Sequence, residues 1–267
     1  HGTESIRWLE TFAAPFLILM GLALLGWAYV NAGGFGEMLS TPSQFVEGGA
    51  KEGQFWTAFF AGLTSMVGFW ATMALNIPDF TRFAKSQKDQ MLGQAIGLPL
   101  PMALFAFIGV AVTSATVTIY GEAIWDPVAL AGRMGGMGVV LALAALALAT
   151  LTTNLAANMV APAYGFSNMA PSKISFKMGG YITAGIGVAI FPWKLLETAG
   201  GYLFTWLTGY SALLGPIAGI LIADYFILRK STLNIDALFQ HAGEYGANNG
   251  WNMAGVTALV IGILPNI

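Results

Sequence analysis

Residues 137–160 read MGVVLALAALALATLTTNLAANMV, twenty-four positions without one charged side chain. A helix rising 1.5 Å per residue crosses a hydrocarbon layer of ~30 Å in about 20 residues, so this run is long enough to span a bilayer. Lipid offers no partner to backbone N–H and C=O groups, which leaves the helix and the closed barrel as spanning structures. The run lacks the period-2 alternation of a barrel strand. It predicts a transmembrane helix.

Six further apolar segments flank it: Phe12–Val30, Phe55–Ile77, Ala95–Tyr120, Gly180–Leu196, Tyr202–Leu228 and a shorter one from Trp251. The Gly180–Leu196 segment is short enough that length alone does not separate a span from a buried helix. Composition agrees with the pattern. Of 267 residues, 56% are hydrophobic and 9% are Asp, Glu, Lys or Arg, far below the quarter typical of a water-facing domain. That balance excludes a basic nucleic-acid-binding face and predicts an all-α polytopic membrane protein whose partner is the lipid bilayer. The whole chain, residues 1–267, reads as one transmembrane transporter domain of about six full helices and a cut seventh. The chain starts at His1 without a leader pattern and ends within the apolar run Val256–Leu264, so an internal piece of a longer protein is expected.

Basic residues set the expected orientation. If the first segment runs from inside to outside, one side collects Arg7, Arg82, Lys85, Lys88, Lys173, Lys177, Arg229 and Lys230, and the other Lys51, Arg133 and Lys194. Eight against three places the start of the chain in the cytoplasm of a multi-pass cell-membrane protein. The polar cytoplasmic stretch 78–94 is expected to include a short amphipathic helix.

The predicted spans are almost free of charge. Asp224 lies at the end of its segment within reach of Arg229 or Lys230, which predicts a snorkelled ion pair rather than a buried relay. His1 and His241 fall outside the spans and no H-E-x-x-H occurs, so neither an enzyme nor a cofactor other than a coupling ion is expected. A proton pump calls for a buried carboxylate, and the spans hold none.

Neutral polar groups stand in its place. Ala149, Thr152, Thr153 and Ala156 share one helical face at i, i+3, i+4 and i+7, and two hydroxyls beside small residues suit Na⁺. The same pattern serves packing, where Thr bonds its own i−4 carbonyl and Ala lets helices approach. Asn154 and Asn158 stack at i and i+4 on another strip. An amide matches the donor–acceptor edge of a cyclic urea or imide, and it equally serves as glue between helices. On an ideal wheel Asn158 stands roughly 140° from Thr153, so cation and ligand meet different faces or the helix distorts. In the second segment Gly68 precedes Phe69 and Trp70, which predicts a flexible or unwound point with a ring available to a flat heterocycle. A Trp packed between helices is the competing reading. Pro99, Pro101 and Pro216 are expected to kink their helices.

Several stretches together resemble one family. Asn76-Ile-Pro-Asp-Phe-Thr-Arg82, continuing to Gln90, is similar to the loop after the sixth helix of the nucleobase:cation symporter family, first class. Thr152-Thr-Asn-Leu-Ala-Ala-Asn158 with Pro162-Ala-Tyr-Gly-Phe-Ser-Asn168, Lys173 to Gly180, Phe191-Pro-Trp-Lys194 and Ala223-Asp-Tyr-Phe-Ile-Leu-Arg229 resemble it in the same order. The likeness is nearest to the allantoin, hydantoin and uracil branch and covers almost the whole chain.

The resemblance implies a leucine-transporter-type five-plus-five inverted repeat of which this chain is helices five to eleven, truncated at both ends. It implies sodium ligands at the Ala149 carbonyl and the Thr152 and Thr153 hydroxyls. Thr152 departs from the Ser frequent at that position and keeps the oxygen. It implies an amide partner for the substrate at Asn158 and a ring-stacking Trp70 with Gly68 or Phe69 beside it. The remaining ring and cation contacts would come from N-terminal helices that lie outside this chain. The function expected is secondary active import of a small, planar, uncharged ureide or nucleobase, coupled to Na⁺. An uncharged interior fits an uncharged ligand, since an anion calls for a buried Lys or Arg and an amine for Asp or Glu. A proton-coupled permease, a passive facilitator and a non-transporting scaffold are the alternatives.

Overall fold

The computed structural model describes residues 3–40, 42–195, 206–240, 243–245 and 251–264. In chain order the helices are α1 (Thr3–Asn31), α2 (Phe35–Leu39), α3 (Phe55–Asn76), α4 (Pro78–Thr81), α5 (Gln87–Gly97), α6 (Pro99–Tyr120), α7 (Pro127–Arg133), α8 (Met137–Thr153), α9 (Val160–Met169), α10 (Phe176–Ala189), α11 (Pro192–Leu195), α12 (Thr208–Ile222) and α13 (Met253–Ile263). Wider π-type turns occupy Asn154–Met159, joining α8 to α9, and Ala223–Leu228, extending α12. Among the described residues there is no strand, and five helical stretches are long and apolar enough to cross a membrane. These are Glu4–Asn31, Phe55–Asn76, Gln87–Tyr120, Met137–Met169 and Thr208–Leu228. The fold is all-helical, as the uncharged runs require.

The chain divides into two compact units, His1–Glu52 with Pro78–Ala189, and Gly53–Ile77 with Ile190–Ile267. The first unit closes around small side chains. Ala28 of α1 and Ala32 just after it cluster with Ala111 and Ala115 of α6, with Met38 of α2, Ile108, Val112 and Leu130 completing the buried group. Lipid is as apolar as leucine, so helices in a membrane gain by close backbone approach, and alanine faces permit it. Helix α6 stops at Gly121, whose φ of 80° is left-handed, a conformation that costs glycine nothing. Within α6 the buried Thr116 donates to the Thr113 carbonyl at 2.7 Å and accepts from the Ile124 N–H at 2.8 Å, holding the chain that follows Gly121 against the helix. Asp126 then caps α7 by accepting from the Val128 N–H at 2.8 Å, an interaction worth about 1 kcal/mol.

The second unit is built on the crossing of α3 with α12. Ser65 and Gly68 are buried on α3, and Leu207, Ser211 and Leu214 on the facing chain. Helix α13, capped by Asn252 accepting from the Gly255 N–H at 3.1 Å, packs with Gly262 against the ring of Pro216.

The segments differ from their sequence expectations at identifiable places. The fifth, expected over Gly180–Leu196, is a 14-residue helix from Phe176 to Ala189. It starts early because Ser175 accepts from the Met178 N–H at 3.2 Å, and it stops where Phe191 turns left-handed, φ 53°, ahead of Pro192. At ~21 Å it is too short to span alone. Residues 202–205 of the sixth segment, with His1 and His241, lie outside the described residues. The amphipathic helix expected within 78–94 is α5, opened by Ser86 accepting from the Asp89 N–H at 3.1 Å. Pro99 occupies the first position of α6 rather than a kink inside it, where its missing N–H costs no bond. Asp224 and Arg229 form the expected pair, Arg229 Nε donating to Asp224 Oδ2 at 2.6 Å.

Candidate functional site

In the first unit the candidate residues gather where α8 gives way to the π turn. Thr152 is buried, 3% exposed, and its hydroxyl lies 3.0 Å from the Leu148 carbonyl and 3.1 Å from that of Ala149. Its hydrogen is thus directed at carbonyls, and the oxygen keeps lone pairs for another donor or a cation. Two of the three oxygens expected to hold an ion therefore stand side by side. Thr153 is exposed at the last position of α8.

The next six residues widen the helix. Asn154 donates from Nδ2 to the Thr150 carbonyl at 2.9 Å, and Asn158 donates from Nδ2 to Asn154 Oδ1 at 2.7 Å. Of the two alternatives the ideal wheel left open, different faces or a distorted helix, a distortion is present between Thr153 and Asn158: a π turn inserts an extra residue and rotates the downstream part of the helix. Ala149 borders an apolar cavity of about 350 Å³ lined by α1, α6, α7 and α8, including Leu17, Gly21, Phe105 and Ala145.

Ala156 within the π turn and Val160 just after it border a second cavity of about 330 Å³, shared with Glu10, Asp79, Phe80 and Phe83. Burial pushes the Asp79 carboxyl above its ordinary range, and the Arg82 guanidinium opposes that rise. Arg82 lies over the Tyr164 ring at 3.9 Å, and Tyr164 meets Phe176 with ring centroids 4.6 Å apart. This stack joins α9 and α10 to the chain after α4.

In the second unit α3 runs unbroken through Gly68. The flexible or unwound point expected there is absent, because Gly68 serves a different need. A Cβ at this position would clash with Ser211 Oγ and with the Leu207 carbonyl oxygen. Glycine here allows close approach rather than freedom. The half-buried Trp70 stands edge-to-face on the exposed Phe69, centroids 5.4 Å apart and planes at 79°. The hydroxyls of Ser65, Thr208 and Ser211 line the same crossing, and sequence reading did not single them out. Ser211 Oγ lies 2.8 Å from the Leu207 carbonyl and 2.9 Å from that of Thr64. Ser65 Oγ lies 3.0 Å from the Ala61 carbonyl and 3.4 Å from Thr208 Oγ1. The spacing Ala61, Ser65, Gly68, Thr72, all small at steps of four, three and four, is the signal that marks this face.

Comparison with known proteins supplies the context. A family model described as permease for cytosine/purines, uracil, thiamine and allantoin matches residues 1–267. The chain is 50% identical over 268 residues to the purine-uracil permease NCS1 of Arabidopsis thaliana, covering 99% of this chain and 44% of that protein. It is 44% identical to the allantoin permease of Bacillus subtilis (100% of this chain, 54% of the relative) and 29% identical to the hydantoin permease of Microbacterium maritypicum (98% and 53%). It thus spans about half the length of the curated relatives it matches. Among solved structures, the inward-facing conformation of Mhp1 superposes with a TM-score of 0.68 at 25% identity, covering 100% of this chain and 60% of that one. These relatives are named as permeases, which move solutes rather than transform them.

Proposed function

The chain belongs to the family of permeases for cytosine/purines, uracil, thiamine and allantoin, and from that premise we propose that it forms part of a multi-pass importer of a small, planar, uncharged ureide or nucleobase, driven by Na⁺. The observation that carries this reading is the α8 terminus. Thr152 Oγ1 stands 3.1 Å from the Ala149 carbonyl and the Asn154–Asn158 pair comes next on the π turn. This is an array of neutral oxygens and amides within an uncharged span.

Each role is assigned residue by residue. The Ala149 carbonyl and the Thr152 and Thr153 hydroxyls supply neutral oxygens to Na⁺. Hard cations accept such ligands. Asn158 reads an N–H/C=O edge, with Asn154 holding its amide. Trp70 offers a ring face to the heterocycle, flanked by Phe69 and backed by Gly68. The basic residues Arg7, Arg82, Lys85, Lys88, Lys173, Lys177, Arg229 and Lys230 mark the cytoplasmic side, which puts the start of the chain in the cytoplasm.

The test uses the full-length protein reconstituted in liposomes, with radiolabelled allantoin and uracil as probes. An inward Na⁺ gradient is expected to drive accumulation above the outside concentration, and replacing Na⁺ with choline to abolish it. Accumulation that tracks a proton gradient instead would establish the proton-coupled alternative. Equilibration without accumulation would establish a passive facilitator.

A further inference from the structure

Three features of α3 bear on one another. Its face toward α12 carries Ser65 and Gly68, both buried. At Gly68 a Cβ would clash with Ser211 Oγ and with the Leu207 carbonyl oxygen, so the two segments touch there backbone to side chain and backbone to backbone. Ser211 Oγ, itself 8% exposed at the residue level, sits within 2.9 Å of the Thr64 carbonyl, one turn before Gly68. Trp70 comes two residues after Gly68, which puts it roughly 160° around the helix on the opposite side. The crossing therefore grips the back of the helix whose front carries the indole.

We propose that Gly68 and Ser211 are positioning residues for Trp70: by seating α3 directly on α12 they fix the depth and rotation at which the Trp70 ring is presented to a planar ligand. This rests on the reading of Trp70 as the ring-stacking residue.

The chemistry of the contact explains why glycine stands at this one position. Neither atom facing Gly68 can retreat on its own. The Leu207 oxygen belongs to the backbone, and the Ser211 hydroxyl is held between the Leu207 and Thr64 carbonyls. One added methyl must separate the helices or rotate α3 about its axis. Separation exposes two carbonyls to an apolar gap, while rotation carries Trp70 off its orientation, and stacking depends on ring overlap. Gly62, on the same helix, meets nothing within 4 Å of an added Cβ. It is therefore the internal control for the same change in a place where it moves nothing.

The experiment is a double-mutant cycle on the full-length protein purified in detergent, with equilibrium binding of radiolabelled uracil and allantoin. Gly68→Ala is expected to weaken binding about tenfold in the parent and by less than about twofold in a Trp70→Ala background, because coupled sites are non-additive. Gly62→Ala is expected to bind like the parent in both backgrounds. Ser211→Ala adds no atom to the crossing and removes only the hydroxyl. It is expected to weaken binding about threefold in the parent and not further without Trp70, so it decides the matter if Gly68→Ala does not yield folded protein. If Trp70→Ala weakens binding while Gly68→Ala and Ser211→Ala bind like the parent, the inference is overturned and the stacking reading stands. If they lose the same factor in both backgrounds, the crossing is merely structural and the inference is again overturned. Unchanged binding by Trp70→Ala itself would remove the stacking reading and the inference with it.

Discussion

The Asn158 side chain donates its amide hydrogen to Asn154 Oδ1 across 2.7 Å, and Asn154 passes its own to the Thr150 carbonyl at 2.9 Å. The pair is a short relay that begins on the backbone of α8 and ends at an exposed amide one π turn later. Asn154 is engaged at both its nitrogen and its oxygen, whereas Asn158 terminates the relay. The two asparagines, alike in sequence, therefore differ in what they can offer a ligand.

Asn158→Ala in the full-length protein is accordingly expected to weaken ureide or nucleobase binding by about 1–3 kcal/mol, the cost of leaving a desolvated polar edge without its partner. Asn154→Ala removes the group that aims Asn158 rather than the reading edge, and its loss should be smaller. Equilibrium binding of labelled allantoin and uracil measures both. Equal affinity of Asn158→Ala and parent for every candidate would make the relay a packing device.

The crossing of α9 and α10 makes a stability prediction. A Cβ at the buried Gly179 would clash with the Ala163 carbonyl oxygen, whereas Gly185 on the same helix faces open space. Gly179→Ala should lower the melting temperature in a thermal-shift assay, since overpacking typically costs about 1–3 kcal/mol. Gly185→Ala should leave it unchanged or raise it, the helix-propensity gain being up to about 1 kcal/mol.

Arg82 over Tyr164 at 3.9 Å is expected to stabilise the fold by about 0.5–2 kcal/mol as a cation–π contact. Arg82→Lys keeps the charge and loses the planar face, and Tyr164→Leu keeps apolar bulk and loses the ring. A double-mutant cycle on thermal stability should show coupling between the two positions. Strict additivity would reduce the stack to coincidental proximity.

Asp79 carries a pH dependence whose sign is set by its surroundings. Burial is the larger influence and raises its carboxyl pKa, with Arg82 opposing it. A carboxyl with a raised folded pKa binds its proton more tightly folded than unfolded, so it favours the fold at low pH and opposes it as pH rises through the folded value. Asp79→Asn should therefore be more stable than the parent near neutral pH. The difference should vanish below about pH 4, where both side chains are uncharged. Melting temperatures across that range test it.

Much of this was legible in the chain. An uncharged run of about twenty residues has no other stable form in lipid than a helix, so the spans beginning at Phe55 and Met137 come directly from composition. The pairing of Asp224 with Arg229 was legible for the same reason, since a carboxylate near a span end must reach water or a cation. The π turn at Asn154–Met159 was legible only in part: Pro162 lacks the N–H that would bond the Asn158 carbonyl, yet nothing within the six residues themselves marks the wider register. The hydrogen-bond register there is chosen by packing along the helix, and an ideal wheel indicates only that Thr153 and Asn158 disagree. Gly68 shows a deeper ambiguity. Glycine permits both a break and a close approach, and the residue that decides between them, Ser211, lies 143 positions away in the chain. Sequence order carries no distance of that kind.

The cation face leads to the last prediction, which turns on oxygen count. Thr153→Ala removes a hydroxyl while keeping a good helix former, and Thr153→Ser removes only a methyl. If Thr153 holds the coupling ion, Ala should raise the half-saturating Na⁺ concentration for uptake while Ser leaves it nearly unchanged. A loss of about 1–3 kcal/mol for one polar ligand of the bound ion corresponds to a shift of roughly five- to 150-fold. Thr152 adds a second control that the structure makes specific. Its hydroxyl contacts the Leu148 and Ala149 carbonyls, so Thr152→Val, nearly the same in shape, removes one oxygen and also frees the Ala149 carbonyl from its neighbour. The Na⁺ requirement should rise here too, while Asn154→Ala should leave it unaltered. Substrate affinity at saturating Na⁺ should largely recover in the Thr variants, because two linked sites exchange equal coupling energies. Uptake with the parent's Na⁺ dependence in both Thr153→Ala and Thr152→Val would assign this face to helix packing and place the ion on other oxygens.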